Sequence, residues 1–377
     1  MQLKKTQYIL NNVTKPKISK KYKLSIIVTI FNLADVLVPC LISIENQTEK
    51  PLEVILVDDG STDDSVKIIQ DFLKRNSNWK CLSTSNKGVG SARNLGITCS
   101  QGDYVLILDG DDIFDRNFFQ FMMNETLDDP DIVICKSREL DHITNLSIPL
   151  DWSVKFDFLP HENRFSPDDL QGTIFYSFMG WAWDKMYKRE FLIKNNLKFP
   201  TYRNSEDLVF VYKSLFMAQT IKVINKSLIF HRVNRIQSVS NTLDEYPEEF
   251  HKALRDIEDA LLARPEIFSR EKECYLAWKV DFSLWAQRSS CRAFSPEYFK
   301  ELRRCLLLSG QKRKLFPLLK FRLEARSPEI KRRYLAVLTD MFSSYFKYGV
   351  KRHILRFLSF SIIRIKKFYL LYLRQLG

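Results

Sequence analysis

The chain has 377 residues, 45% of them hydrophobic and 27% charged, the balance of an ordinary globular protein long enough for one large domain and a smaller companion. Its net charge of +13 is uneven: residues 300–377 hold 20 basic and 4 acidic side chains, and everything before them is close to neutral. That composition excludes a disordered chain, no run of 18 uninterrupted apolar residues offers a membrane span, and seven scattered cysteines without a CxxC pair offer neither a disulfide framework nor a zinc site.

The basic leader, residues 1–22, lacks the apolar core and cleavage site of a signal peptide, so a cytosolic catalytic part is expected. After it, "KLSIIVTIF" (23–31) and "LEVILVDDGS" (52–61) read as short β-rich strands. Between them "LADVLVPCLISIENQT" has helical spacing, with Leu37, Leu41 and Ile44 on one face. The alternation continues: "TDDSVKIIQDFLKRN" helical, "WKCLSTS" extended, "GSARNLGITCS" helical, and "GDYVLILD" a further buried strand. Apolar strands alternating with amphipathic helices predict an α/β fold with a mostly parallel sheet covered on both faces.

Ligands of such sheets sit beyond the carboxyl ends of the strands. Thr29 and Asn32 follow the first strand, Asp58 and Asp59 the second, and Asp109, Asp111 and Asp112 the third buried one, so three polar strand ends are expected in one crevice. Helix capping alone explains a single acidic strand end such as "DDGSTDD", but not three together. Crowded carboxylates repel one another and resist desolvation, so a cation is expected among them; without neighbouring His or Cys they suit Mg2+ or Mn2+ shared with substrate phosphates. Neither a GxxxxGK[ST] loop nor a GxGxxG turn is present, which argues against a P-loop ATPase or a nicotinamide enzyme.

The stretches "SIIVTIFN", "ISIENQT", "EVILVDDGSTDDS", "NKGVGSARNLGI" and "GDYVLILDGDD", in that order and spacing, resemble the nucleotide-binding half of the family-2 glycosyltransferases of GT-A fold. "WAWDKMYKREFLIKNNLKFP", "NSEDLVF" and "HRVNRIQSVS" resemble more loosely the acceptor half of members that build bacterial surface glycans. The resemblance implies a GT-A domain over residues 23–240, with a nucleotide-binding half at 23–115 and an acceptor half at 116–240; beyond it nothing is recognised, but from Pro247 onward the pattern turns helical, so a helical region is expected at 241–377.

It also implies roles. Thr29 and Phe31 would border the base, with Asn32 beside them, and Asp59 would accept a hydrogen bond from a uracil ring. Arg93 would lie near the base or diphosphate. Asp109 and Asp111 would contact ribose and metal, with Gly110 as the small residue between them and Asp112 completing the metal-side carboxylates. His231 and Arg232 would reach the metal or diphosphate. Asp207 would be the general base, its proton affinity raised by Glu206, which is counted with Trp181 and Trp183 on the acceptor side. The bland readings are a capped helix start for "SEDLVF", a satisfied buried histidine for His231 and core aromatics for the tryptophans.

These roles describe an inverting transfer from a UDP-sugar, with Mn2+ or Mg2+, to a glycan or lipid-linked hydroxyl, needing a base on one face and charge neutralisation on the other. The terminal segment "VKRHILRFLSFSIIRIKKFYLLYLRQLG" puts basic and apolar residues on opposite helix faces and is expected to lie along an anionic membrane surface, making the enzyme cytoplasmic and peripheral. Two other readings stand beside this one. A sugar-phosphate nucleotidyltransferase would carry a glycine- and lysine-rich loop where "TIFNLADVL" has none, and a nucleic-acid-binding protein would not present an acidic crevice to phosphate, so no nucleic-acid partner is expected.

Overall fold

The computed structural model describes residues 22–170, 172–235 and 246–289, all within one compact unit. The basic leader before Tyr22, the end of "HRVNRIQSVS", Cys291, Cys305 and the basic terminal helix lie outside the described residues.

Strands β1 (Leu24–Ile30), β2 (Glu53–Asp58), β3 (Trp79–Ser83) and β4 (Tyr104–Asp109) pair in parallel in the order β3-β2-β1-β4. Every residue of β1 and β2 is buried, because helices cover both faces. Helix α1 (Leu37–Glu45) buries Leu37, Cys40, Leu41 and Ile44, the stripe legible in the sequence. Helix α2 spans Ser65–Leu73 and α3 spans Val89–Cys99. On α3, a Cβ at Gly96 would stand 2.3 Å from Ile27 Cγ2, so glycine there lets the helix approach β1.

Beyond β4 the sheet departs from a simple parallel order. After the short β5 (Ile113–Phe114) and helix α4 (Phe118–Asn124), β6 (Ile132–Asp141) enters the sheet. It turns into β7 (Ser147–Pro149), followed by β8 (Arg164–Phe165) and helix α5 (Ile174–Ser177). Strand β9 (Lys185–Lys188) then slots antiparallel between β4 and β6. After α6 (Arg189–Lys194) and α7 (Glu206–Met217), β10 (Ile221–Val233) lies parallel to β6. The fold is a GT-A type α/β domain with a mostly parallel central sheet.

Helices α8 (Pro247–Leu262) and α9 (Pro265–Ser289) follow, so the described part of the C-terminal region is helical as expected. They pack onto the second half of the sheet domain: Phe175 of α5 stacks on Tyr212 of α7 at 4.7 Å and meets Trp278 of α9 at 5.0 Å. Tyr202 donates to Asp256, and Asn204 Nδ2 donates to the Tyr246 carbonyl at 3.1 Å. The expected boundary at residue 240 thus falls between elements that share a core. No helix among the described residues is long and apolar enough to cross a membrane.

Candidate active site

Register builds the crevice. Thr29 stands opposite Asp109 across β1 and β4, and Ile30 opposite Asp58 across β1 and β2, so three strands end level with one another. Asp59 is tied to the same edge, its N–H donating to the Ile30 carbonyl at 2.8 Å. Its carboxylate accepts the Lys87 and Gly88 N–H groups, each at 2.8 Å, and the Thr84 hydroxyl. Asp59 therefore fastens the loop before α3 to the crevice floor. Asn32, in the left-handed region at φ 50°, accepts the Thr62 N–H at 2.8 Å through its side chain. Phe31 beside it is 42% exposed, an open aromatic ring at the strand end.

Arg93, expected near the base or diphosphate, has a buried guanidinium that donates from Nη2 to Asp109 Oδ1 at 2.9 Å and from Nη1 to Glu206 Oε1 at 2.6 Å. Thr29 Oγ1 donates to the same Asp109 oxygen at 3.2 Å, and the Phe199 ring lies 5.2 Å from the guanidinium carbon. Burial alone would lower the Arg93 pKa; Asp109, Glu206 and Asp207 outweigh it and raise it. Arg93 thus joins the end of β4 to the start of α7. Glu206, expected on the acceptor side, is its buried partner.

Asp207, the next residue, has no ion-pair partner of its own among the described residues. Its Oδ1 accepts the Leu208 N–H at 2.8 Å. Burial and then the Glu206 charge push its carboxyl up to about 7, against Arg93. A carboxylate poised near neutrality suits a general base.

On the far side of β4 the three remaining polar residues part company. A Cβ at Gly110 would sit 2.9 Å from the Thr29 carbonyl oxygen and from Leu33 Cδ1, so the turn tolerates only glycine without movement. The Asp111 carboxylate has no hydrogen-bond or ion-pair partner among the described residues, and burial with Asp112 and Asp109 nearby pushes it up to about 7. Asp112 is fully buried, accepting the Arg232 N–H at 2.9 Å and facing His231 Nδ1 at 3.1 Å. Asp112, expected among the metal-side carboxylates, therefore positions His231. Arg232, also buried, donates from Nε to the Asp111 carbonyl at 2.9 Å and so fixes the turn.

Burial would lower the His231 pKa, but Asp112, with Asp111 and Asp109 behind it, pushes the imidazole up to about 9. A carboxylate holding Nδ1 of an imidazole is the arrangement that orients Nε2 toward a metal, whose binding would displace the proton. Among the described residues no group of three or more His, Cys, Asp or Glu side chains is arranged to hold a metal. The unpartnered Asp111 carboxylate and the oriented His231 fit a divalent ion as two protein ligands, with diphosphate oxygens supplying the remainder.

A stack of rings leads from His231 to solvent. Trp183 lies 4.7 Å from His231 at 21°, Trp181 lies 4.7 Å from Trp183 at 18°, and Trp152 lies 5.5 Å from Trp181. Trp183 is buried, so of the two expected acceptor contacts only the half-buried Trp181 reaches the surface, next to the 45% exposed Trp152. Sequence reasoning missed Trp152, which sits far from any recognised motif. It also missed the fully buried Asp184–Lys185 pair, 2.6 Å apart, in which Lys185 donates to the carbonyls of Met179 at 2.9 Å and Trp181 at 2.8 Å and so fixes the tryptophan loop. Its signal was a charged pair inside the aromatic run "WAWDKMY".

The Glycosyl transferase family 2 model matches residues 25–195, from β1 to just past α6. The chain carries a family-2 glycosyltransferase domain. It is 28% identical over 272 residues to the cholesterol galactosyltransferase of Borreliella burgdorferi, covering 70% of this chain and 74% of that protein. It is 29% identical over 248 residues to the poly(ribitol-phosphate) beta-glucosyltransferase of Bacillus spizizenii, covering 64% of this chain and 37% of that longer protein. In fold, the glycosyltransferase domain and the elements after it resemble S. aureus TarS 1–349, solved in complex with UDP-GlcNAc, with a TM-score of 0.55 and 22% identity over 71% of this chain and 73% of that one. Asp207 and His231 lie beyond the matched family segment, and the elements that carry them complete the crevice.

Proposed function

We propose that this protein transfers a sugar, with inversion, from a UDP-sugar to a hydroxyl of a lipid-linked or polymeric glycan acceptor in surface-glycan assembly. The observation that carries the reading is Asp207: a carboxylate raised to about 7, at the start of α7, joined through Glu206 and Arg93 to Asp109 at the strand-end crevice. The UDP donor is supported by the fold shared with TarS, solved with UDP-GlcNAc, and the acceptor class by the named substrates of the two relatives.

In this reading Thr29, Phe31 and Asn32 border the base, and Asp59 holds the loop that closes over it. Asp109 meets the ribose while Arg93 holds its carboxylate in place. Asp111 and His231 would hold Mn2+ or Mg2+, with Asp112 fixing the imidazole. When bound, the divalent ion neutralises charge on the leaving diphosphate. Asp207 takes the proton of the acceptor hydroxyl as its oxygen bonds to the anomeric carbon. The bond from that carbon to the diphosphate oxygen breaks and its electron pair leaves with UDP. In-line attack inverts the anomeric centre, and Trp181 and Trp152 offer the acceptor a stacking face. The enzyme works at the cytoplasmic face of the membrane, where lipid-linked acceptors are exposed.

The test is UDP release from a panel of UDP-sugars with Mn2+ or Mg2+ and a lipid-extract acceptor. Wild type should release UDP from at least one donor and Asp207→Asn should lose most of that rate. Equal release by both proteins, or none from any donor, contradicts the proposal.

A further inference from the structure

Residues 141–152, between β6 and the tryptophan loop, carry four large exposed apolar side chains: Ile143 (77% exposed), Leu146 (67%), Ile148 (62%) and Trp152 (45%). Scattered exposed hydrophobes are ordinary, but this group is concentrated on one β-turn and its flank. The turn is also unusually self-sufficient. Asp141 Oδ1 accepts the Ile143 N–H at 3.0 Å, the Thr144 N–H at 2.7 Å and the Thr144 hydroxyl at 2.9 Å. The Asn145 N–H donates to the Asp141 carbonyl at 2.9 Å, and Asn145 takes the left-handed φ of 56° that the tip requires. The Asp141 N–H donates to the Leu146 carbonyl, the Leu146 N–H to Thr144 Oγ1 and the His142 N–H to the Val233 carbonyl. All six backbone N–H groups from 141 to 146 are satisfied within the protein.

That combination selects among occupants. A strand-adding protein partner draws on free backbone donors, which this turn does not offer. A stable protein interface takes about 800 Å² from each partner, whereas three aliphatic side chains on a turn supply a few hundred Å². A bilayer makes the opposite demands: apolar tips, a backbone that needs no outside partner, and an aromatic ring at the polar boundary.

The hairpin also belongs mechanically to the active site. Its base is held by Asn234 donating to Asp141 and by the His142–Val233 bond, beside Arg232 and His231 at the end of β10. Trp152 is the outermost ring of the stack that ends on His231.

We infer that the 141–148 hairpin dips into the phospholipid interface and sets the acceptor crevice against the membrane, with Ile143, Leu146 and Ile148 in the acyl region and Trp152 at the headgroup level. The inference deepens the proposed function, resting on its acceptor being carried by a lipid.

The test uses the full chain and vesicles of phosphatidylglycerol and phosphatidylethanolamine. A tryptophan reporter introduced as I143W should be quenched by lipids brominated on their acyl chains, read as the difference from wild type. Replacing Ile143, Leu146 and Ile148 together by serine should weaken vesicle binding at least about tenfold, with Mn2+-dependent UDP binding unchanged. No reporter quenching, or vesicle affinity of the triple variant within twofold of wild type, overturns the inference. A partner protein on the hairpin would give the same negative result. Because the vesicle measurements contain neither donor nor acceptor, failure of UDP release would count against the transferase reading alone.

Discussion

Arg93→Met is the most informative single substitution because it removes the cation that the buried Glu206 and the half-buried Asp109 share. Arg93 and Glu206 side chains are each 5% exposed, and the contacts to Glu206 and Asp109 are 2.6 Å and 2.9 Å. Removing one partner of a buried pair leaves an uncompensated charge and costs about 3–5 kcal/mol. Burial already raises the Glu206 carboxyl, and burial with Glu206 raises Asp207 to about 7; without Arg93 both rise further. A carboxyl whose folded pKa lies above its unfolded value contributes stability below the unfolded value, about 4, and loses it as pH climbs through the folded one. The deficit of Arg93→Met should therefore be small near pH 5 and largest near pH 8. Urea unfolding at both pH values measures it. Adding Glu206→Gln should recover part of the loss at pH 8. A deficit below about 1 kcal/mol at pH 8, or one equal at pH 5, would refute the claim that Arg93 is a buried structural cation.

Three further outcomes follow from the same geometry. Asp207→Asn should cut turnover by about 10²–10⁴-fold, and wild-type kcat/KM should rise between pH 6 and 8 as the carboxyl at about 7 ionises; a profile flat across that range argues against a base role. Asp112→Asn should weaken Mn2+ binding about 10–100-fold by releasing His231 Nδ1, although Asp112 touches no ligand, and unchanged affinity in calorimetry would show that Asp112 does not act through the imidazole. Trp152→Ala should raise the acceptor KM about 2–10-fold more than it lowers kcat, with Trp152→Phe restoring most of it; equal effects on both constants would remove Trp152 from the acceptor face.

The nucleotide-binding half was legible because its signals are local. Continuous apolar runs define β1, β2 and β4, the 37-40-41-44 stripe defines α1, and polar residues mark where strands end. Which polar residue faces the crevice was not legible, since that depends on contacts between residues far apart in the chain. Arg93 meets Glu206 across 113 positions and Asp112 meets His231 across 119, and no local pattern announces either pairing. Trp152 escaped for the same reason, joining the site only through a stack built by a distant loop. The antiparallel insertion of β9 had no readable cue, because a four-residue strand inside an aromatic run carries too little periodicity.

Titrating UDP into the protein by calorimetry, with and without Mn2+, tests most directly whether the ends of β1, β2 and β4 form a nucleotide and metal site. Saturable binding that needs Mn2+ in the wild type and is lost in Asp111→Asn is the expected result. Absence of binding, or equal affinity in both proteins regardless of metal, would contradict it.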